Sequence, residues 1–231
     1  MSIIGRALFM RHGHTEYKDV YPDLTEQGIN EIEGAADYLK SFVYGYKRRI
    51  VFCSPVTRTV GSADLLKKAL ADSVKVVQDP LLIAVKQRDP ERAKVVFREY
   101  AEQQTTVTNA LSYGWDSRYE DGVIFEPRDS VRARFFDHLD FLAGLFHKRP
   151  GELVTISVTH YELLYHFVEF MFPLDYKFDA PLSCGEIIDT FFLSNGNPDY
   201  IKLEVNFRHG VSSAVFDRQK KKLLHYGHTV P

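Results

Sequence analysis

Ala7-Leu8-Phe9-Met10-Arg11-His12-Gly13-His14-Thr15 opens on four consecutive apolar residues, the pattern of a short strand buried on both faces, and continues into a cation, an imidazole and a glycine. A polar loop at the carboxyl end of a strand is where open α/β sheets bind their ligands. Arg11 brings a fork of donors suited to phosphate, His12 a nucleophile or base, and Gly13 a backbone able to lie close to a bound group. The tripeptide can also be read as a capping arginine and a histidine satisfied inside a turn.

Two further stretches repeat the design. Val51-Phe52-Cys53 leads into Ser54-Pro55-Val56-Thr57-Arg58-Thr59, and Ile156-Ser157-Val158 leads into Thr159-His160. Three strand ends would then deliver Arg11, His12, Arg58 and His160 to one rim of a sheet. In order and spacing, Arg11-His12-Gly13-x-Thr15, Ser54-Pro55-x-x-Arg58-Thr59 with Ala63, and Thr159-His160 after a strand resemble the histidine phosphatase superfamily, also called phosphoglycerate mutase-like, in its first branch.

That resemblance implies a phosphomonoester held by Arg11, Thr15, Arg58 and His160. His12 would attack phosphorus, passing through a phosphohistidine, with no cofactor and no metal, since the arginines already supply positive charge. Mutase-like members carry a glutamate stretch after the third strand that residues 81–92 lack, and an asparagine where Lys18 stands. Hydrolysis is therefore expected rather than isomerisation. Glu162, two residues past the second histidine, is the expected proton donor, although it is also readable as a carboxylate complementing a helix N-terminus. Glu126 is the alternative acid and Glu16 the third. A phosphoglycerate mutase-like phosphotransferase and a catalytically inactive phosphate-binding protein are the rival readings.

The chain has 231 residues, 45% of them hydrophobic, enough to bury a sizeable core. Lys+Arg of 29 against Asp+Glu of 31 leaves a formal charge of -2, so no global basicity recruits nucleic acid or anionic membrane, and the partner expected is a small phosphorylated molecule. Cys53 and Cys184 form neither a disulfide framework nor a metal spacing. No long apolar segment resembles a leader or a bilayer span, and a cytoplasmic protein is expected.

Thr25 reads as the cap of a helix whose apolar residues Ile29, Ile32, Ala35, Ala36, Leu39 and Phe42 recur at helical spacing. A second helix is expected from Val56 to Leu70, a third strand at 74–77, a helix through Val131 to Phe146, a strand at 153–158 and a helix after His160. Ile187–Leu193 and Tyr200–Phe207 read as an antiparallel edge pair. Arg208-His209-Gly210 repeats the opening tripeptide but follows an alternating, half-exposed strand, so it is set aside.

These elements predict one α/β domain over residues 1–231, a three-layer αβα sandwich with a mostly parallel sheet, one antiparallel edge, and residues 81–127 inserted as a helical lid. In that lid Lys86, Arg88, Arg92, Lys94 and Arg98 supply positive charge, and Tyr113, Trp115 and Tyr119 aromatic surface. His138, His147 and His166 are expected to be structural.

Overall fold

Apolar runs such as Ala7–Met10 and Val51–Cys53 make strands that must be covered on both faces, and they lie on either side of the strand Leu153–Thr159, which is buried throughout. The computed structural model describes residues 1–16, 23–71, 73–102, 122–172 and 182–229. Its strands are β1 (Ser2–Arg11), β2 (Arg48–Cys53), β3 (Lys75–Gln78), β4 (Leu153–Thr159), β5 (Ile187–Ser194), β6 (Tyr200–Phe207), β7 (Gly210–Asp217) and β8 (Lys222–Thr229). Its helices are α1 (Glu26–Val43), α2 (Thr57–Leu70), α3 (Pro90–Glu102), α4 (Arg128–Lys148) and α5 (Tyr161–Met171), with a short 3-10 turn at Pro80–Leu82.

All eight strands form one sheet in the order β3-β2-β4-β1-β5-β6-β7-β8. On one face, Leu8, Met10, Val51, Val154 and Val158 pack with Ile32, Ala36 and Leu39 of α1 and Ala63 and Leu66 of α2. On the other, Phe9, Phe52, Ile188, Phe192 and Leu203 pack with α4 and α5 through Phe135, Leu139, Phe146, Leu163 and Phe167. Helices thus cover both faces of the sheet around β1. No described helix is long and apolar enough to cross a membrane.

The sheet corrects the expectation that it is mostly parallel. β3, β2, β4 and β1 pair in parallel, but β5 to β8 are antiparallel, and β5 pairs antiparallel with β1 rather than standing at a far edge. β7 escapes a reading of hydrophobic alternation because its buried side is made of small or polar residues. Ser212 and Ala214 point inward beside Phe216, and Val211 lies outward. The Ser212 hydroxyl is satisfied by donating to the carbonyl of Met171. The first two residues of the repeated tripeptide, Arg208-His209, are the two-residue turn between β6 and β7, with Phe207 facing Gly210 across it. Arg208 has φ 53 and pairs with Glu186.

In the expected lid, Leu82, Ala93, Val96, Ile124 and Phe125 are buried in the main core, and Gln87 and Phe125 form a single antiparallel bridge. Lys94 pairs with Glu91, and Arg88 donates to the Gly122 carbonyl. Lys18, Tyr113, Trp115 and Tyr119 lie outside the described residues.

Candidate active site

Parallel pairing places the three polar strand ends side by side. Arg11 is in register with Thr159, and Cys53 with Val158, so the residues that follow β1, β2 and β4 leave one rim together. Two backbone bonds extend the ladder past the strands: His12 N donates to Thr159 O at 3.1 Å, and Ser54 N to Val158 O at 3.2 Å. Arg58 reaches the same place from the first turn of α2, whose N-cap residue Val56 contributes no side-chain bond.

Arg58 is the hub of the cluster. Its Nε lies 3.0 Å from His12 Nε2, and its Nη2 lies 3.1 Å from His160 Nδ1. A guanidinium only donates, so both of these ring nitrogens must be acceptors, and the tautomers follow. His12 carries its proton on Nδ1 and donates it to the Gly13 carbonyl at 2.7 Å. His160 carries its proton on Nε2 and donates it to Ser54 Oγ at 3.0 Å. The ring centroids are 5.2 Å apart.

The electrostatics agree with neutral rings. Burial is the first cause holding His12 well below the ordinary histidine pKa, followed by the charges of Arg58 and Arg11. Burial likewise leads for His160, followed by His12, Arg58 and Arg11. An imidazole kept neutral among guanidinium groups retains a lone pair for attack while the surrounding field favours an anion.

Arg11 is fixed rather than free to wander. Its Nη1 donates to the Leu182 carbonyl at 2.9 Å, and its guanidinium carbon lies 5.5 Å from the centroid of the Tyr161 ring. Its Nε is buried with no hydrogen-bond partner among the described residues. Thr15 is buried beside this loop and bridges to Leu24. Glu16 is exposed.

The two acid candidates differ. Glu162 is half-buried on the first turn of α5, directly after His160, and makes no ion pair among the described residues. Glu126 is buried and gripped by Arg134, Nε to Oε1 at 2.9 Å and Nη2 to Oε2 at 2.7 Å, while Lys86 N donates to it at 3.3 Å. Burial works to raise its pKa, but Arg134 and these bonds hold it below the ordinary carboxylate value. Arg134 spends its other donors on the carbonyls of Leu81, Ile83 and Ala84.

Sequence reasoning missed Ser62 and the polar core behind the rim. Ser62, one turn past Arg58, accepts from Gly13 N at 3.1 Å and donates to the Arg58 carbonyl at 2.8 Å, tying the first loop to α2. Its spacing of four from Arg58 was the available signal. His138, expected to be structural, is fully buried and bonds Asp79 at 2.7 Å and Ser157 at 2.9 Å. Thr159 Oγ1 donates to the Leu82 carbonyl at 2.7 Å. The segment 79–84 is thereby pinned beneath the site.

The chain belongs to the histidine phosphatase superfamily, branch 1, whose profile it matches over residues 7–175. Among solved structures, it is similar to a mycobacterial glucosyl-3-phosphoglycerate phosphatase complexed with VO3, at 15% identity and TM-score 0.60, covering 88% of this chain and 98% of that one. It is also similar to a phosphoglycerate mutase from Bacillus anthracis, at 16% identity and TM-score 0.59, covering 80% and 87%. A third likeness is to a protein named mycobacterial hydrolase 1, at 16% identity and TM-score 0.63, covering 87% and 96%. No curated protein sequence matches the chain. At these identities the likeness is one of fold.

Proposed function

We propose that the protein is a phosphomonoesterase that hydrolyses small phosphorylated molecules through a phosphohistidine on His12, without metal or cofactor. The observation that carries this reading is a single guanidinium, Arg58, donating to both His12 Nε2 and His160 Nδ1 while burial keeps the two rings neutral. Family membership supports phosphoryl chemistry at these residues.

A phosphomonoester dianion repels nucleophiles until its charge is met, and Arg11 and Arg58 meet it. The anion draws Arg58 onto its oxygens, which uncovers the His12 Nε2 lone pair. Nε2 then forms a bond to phosphorus as the P–O ester bond breaks in line, and the Nδ1–H bond to the Gly13 carbonyl steadies the growing positive ring. The leaving alkoxide takes a proton from Glu162. The resulting carboxylate removes a proton from the water that attacks the phosphohistidine, releasing inorganic phosphate and restoring both residues. Glu162 suits this role better than Glu126, because a carboxylate locked onto a guanidinium resists protonation. In this reading the part of the insertion that follows the pinned segment 79–84, beginning with α3, covers the organic part of the substrate.

A phosphate-release screen over sugar phosphates, nucleotides, phosphoglycerates and phosphorylated amino acids, with and without chelator, tests the reading. Free phosphate, unaffected by chelator, is expected. Isomerised phosphoglycerate would make the protein a mutase instead. Binding of vanadate with no product from any ester would make it a phosphate-binding protein.

A further inference from the structure

We propose that Ser54 is a positioning residue that accepts the Nε2–H left by Arg58 on the other side of the His160 ring and so holds the ring with Nδ1, and not Nε2, presented to the phosphoryl group. The inference rests on the phosphatase reading for its purpose, but its geometry stands without it. Ser54 is fully buried and belongs to the turn between β2 and α2. Its Oγ accepts from Val56 N at 3.2 Å and from His160 Nε2 at 3.0 Å. The backbone bond points the oxygen lone pairs, so the hydroxyl is aimed at the ring by the same turn that carries Arg58.

A buried N–H without a partner costs about 1–3 kcal/mol, so the proton of a neutral His160 goes where an acceptor waits. Ser54 is that acceptor on the Nε2 side. On the Nδ1 side stands Arg58, which offers only N–H. Arg58 selects the tautomer, because a hydroxyl can donate as well as accept, and Ser54 accepts the Nε2–H that results, leaving the Nδ1 lone pair turned toward Arg58. When an anion draws Arg58 away, Nδ1 faces its oxygens and takes up one proton from solvent, becoming a donor to the anion. Nε2–H stays on Ser54 throughout, so one proton is gained and no covalent bond other than Nδ1–H is formed. His12 is held in the opposite tautomer by the Gly13 carbonyl, which suits a nucleophile, whereas His160 is set up as a donor.

The test is 15N NMR of imidazole-labelled protein, with resonances assigned by their loss in His12→Gln and His160→Gln. In the free protein His160 is expected with Nε2 protonated and Nδ1 of the unprotonated type, and His12 with the reverse. Saturating inorganic phosphate at a pH where it is a dianion is expected to move His160 Nδ1 alone to the protonated type. Ser54→Ala removes the acceptor of Nε2–H and is expected to shift the His160 Nε2 resonance and weaken phosphate binding by about tenfold, and Ser54→Thr to restore both. If the Ser54→Ala protein unfolds, wild type and Ser54→Thr still decide the matter. A resting His160 protonated on Nδ1, or a Ser54→Ala spectrum identical to wild type, overturns the proposal. Because none of these readouts needs turnover, an inactive protein with the expected spectra would refute the phosphatase reading and leave this one standing.

Discussion

Gly13 and Gly28 lie backbone against backbone: a Cβ on Gly13 would fall 2.4 Å from the Gly28 carbonyl oxygen, and one on Gly28 would fall 2.2 Å from the oxygen of His14. The loop that carries His12 is therefore laid directly on the first turn of α1. Thr25 completes the junction, capping the helix by accepting from Gly28 N while it donates to the His14 carbonyl. Alanine at either position forces backbone apart, so each substitution should cost about 1–3 kcal/mol as an overpacking strain. Because the strain falls on the nucleophile loop, turnover should drop further than stability does. Thermal denaturation and phosphate release measured on Gly13→Ala and Gly28→Ala check this.

The depressed histidines give a pH dependence with a definite sign. In the unfolded chain His12 and His160 protonate near the ordinary value of about 6.5, whereas the folded chain holds both well below it. Below that pH the unfolded state binds more protons, so stability is full above about pH 6.5 and declines as acid is added toward the folded values. Saturating phosphate should flatten this decline, since a bound anion stabilises the charged rings. Urea melts across pH 4.5 to 8, with and without phosphate, measure both slopes.

Arg134 is a keystone rather than a substrate ligand. Its donors reach both oxygens of Glu126 and the carbonyls of Leu81, Ile83 and Ala84. Removing one partner of such a nearly buried pair typically costs about 3–5 kcal/mol, so Arg134→Ala should lower the melting temperature sharply. Glu126→Gln keeps acceptor oxygen for the fork and should lose less. In molecules that remain folded, Glu126→Gln should retain most of its turnover, whereas Glu162→Gln should lose about 10²-fold, the usual worth of a general acid. Turnover above half of wild type in Glu162→Gln together with collapse in Glu126→Gln would exchange their roles.

The sequence was legible where chemistry and burial coincide. The runs ending at Arg11 and Cys53 are apolar on both faces, and the run ending at Thr159 alternates Val154, Ile156 and Val158 with hydroxyl residues and is buried throughout, which marks central parallel strands, and their shared polar sequel marked the rim. The antiparallel half was less readable because β7 buries Ser212 and Ala214 and exposes Val211, inverting the alternation on which a half-covered strand is recognised. Polar partners distant in sequence were invisible for another reason. Ser54 and His160 are separated by 106 residues, and His138 and Asp79 by 59, so nothing local announces the bonds that hold the ring of one and bury the other. The clamp on Glu126 is different: Arg134 lies only eight residues away, but a proline and the start of α4 intervene, and the pairing depends on how that helix begins.

In the proposed mechanism His12 becomes covalently phosphorylated. Rapid quench of wild-type protein with a 32P-labelled phosphomonoester that it turns over, followed by acid and alkali treatment and mapping of the labelled peptide, tests it most directly. An acid-labile, alkali-stable label is expected on His12, forming no more slowly than phosphate is released and absent from His12→Ala. An unlabelled protein during turnover, or full phosphatase activity in His12→Ala, would contradict it.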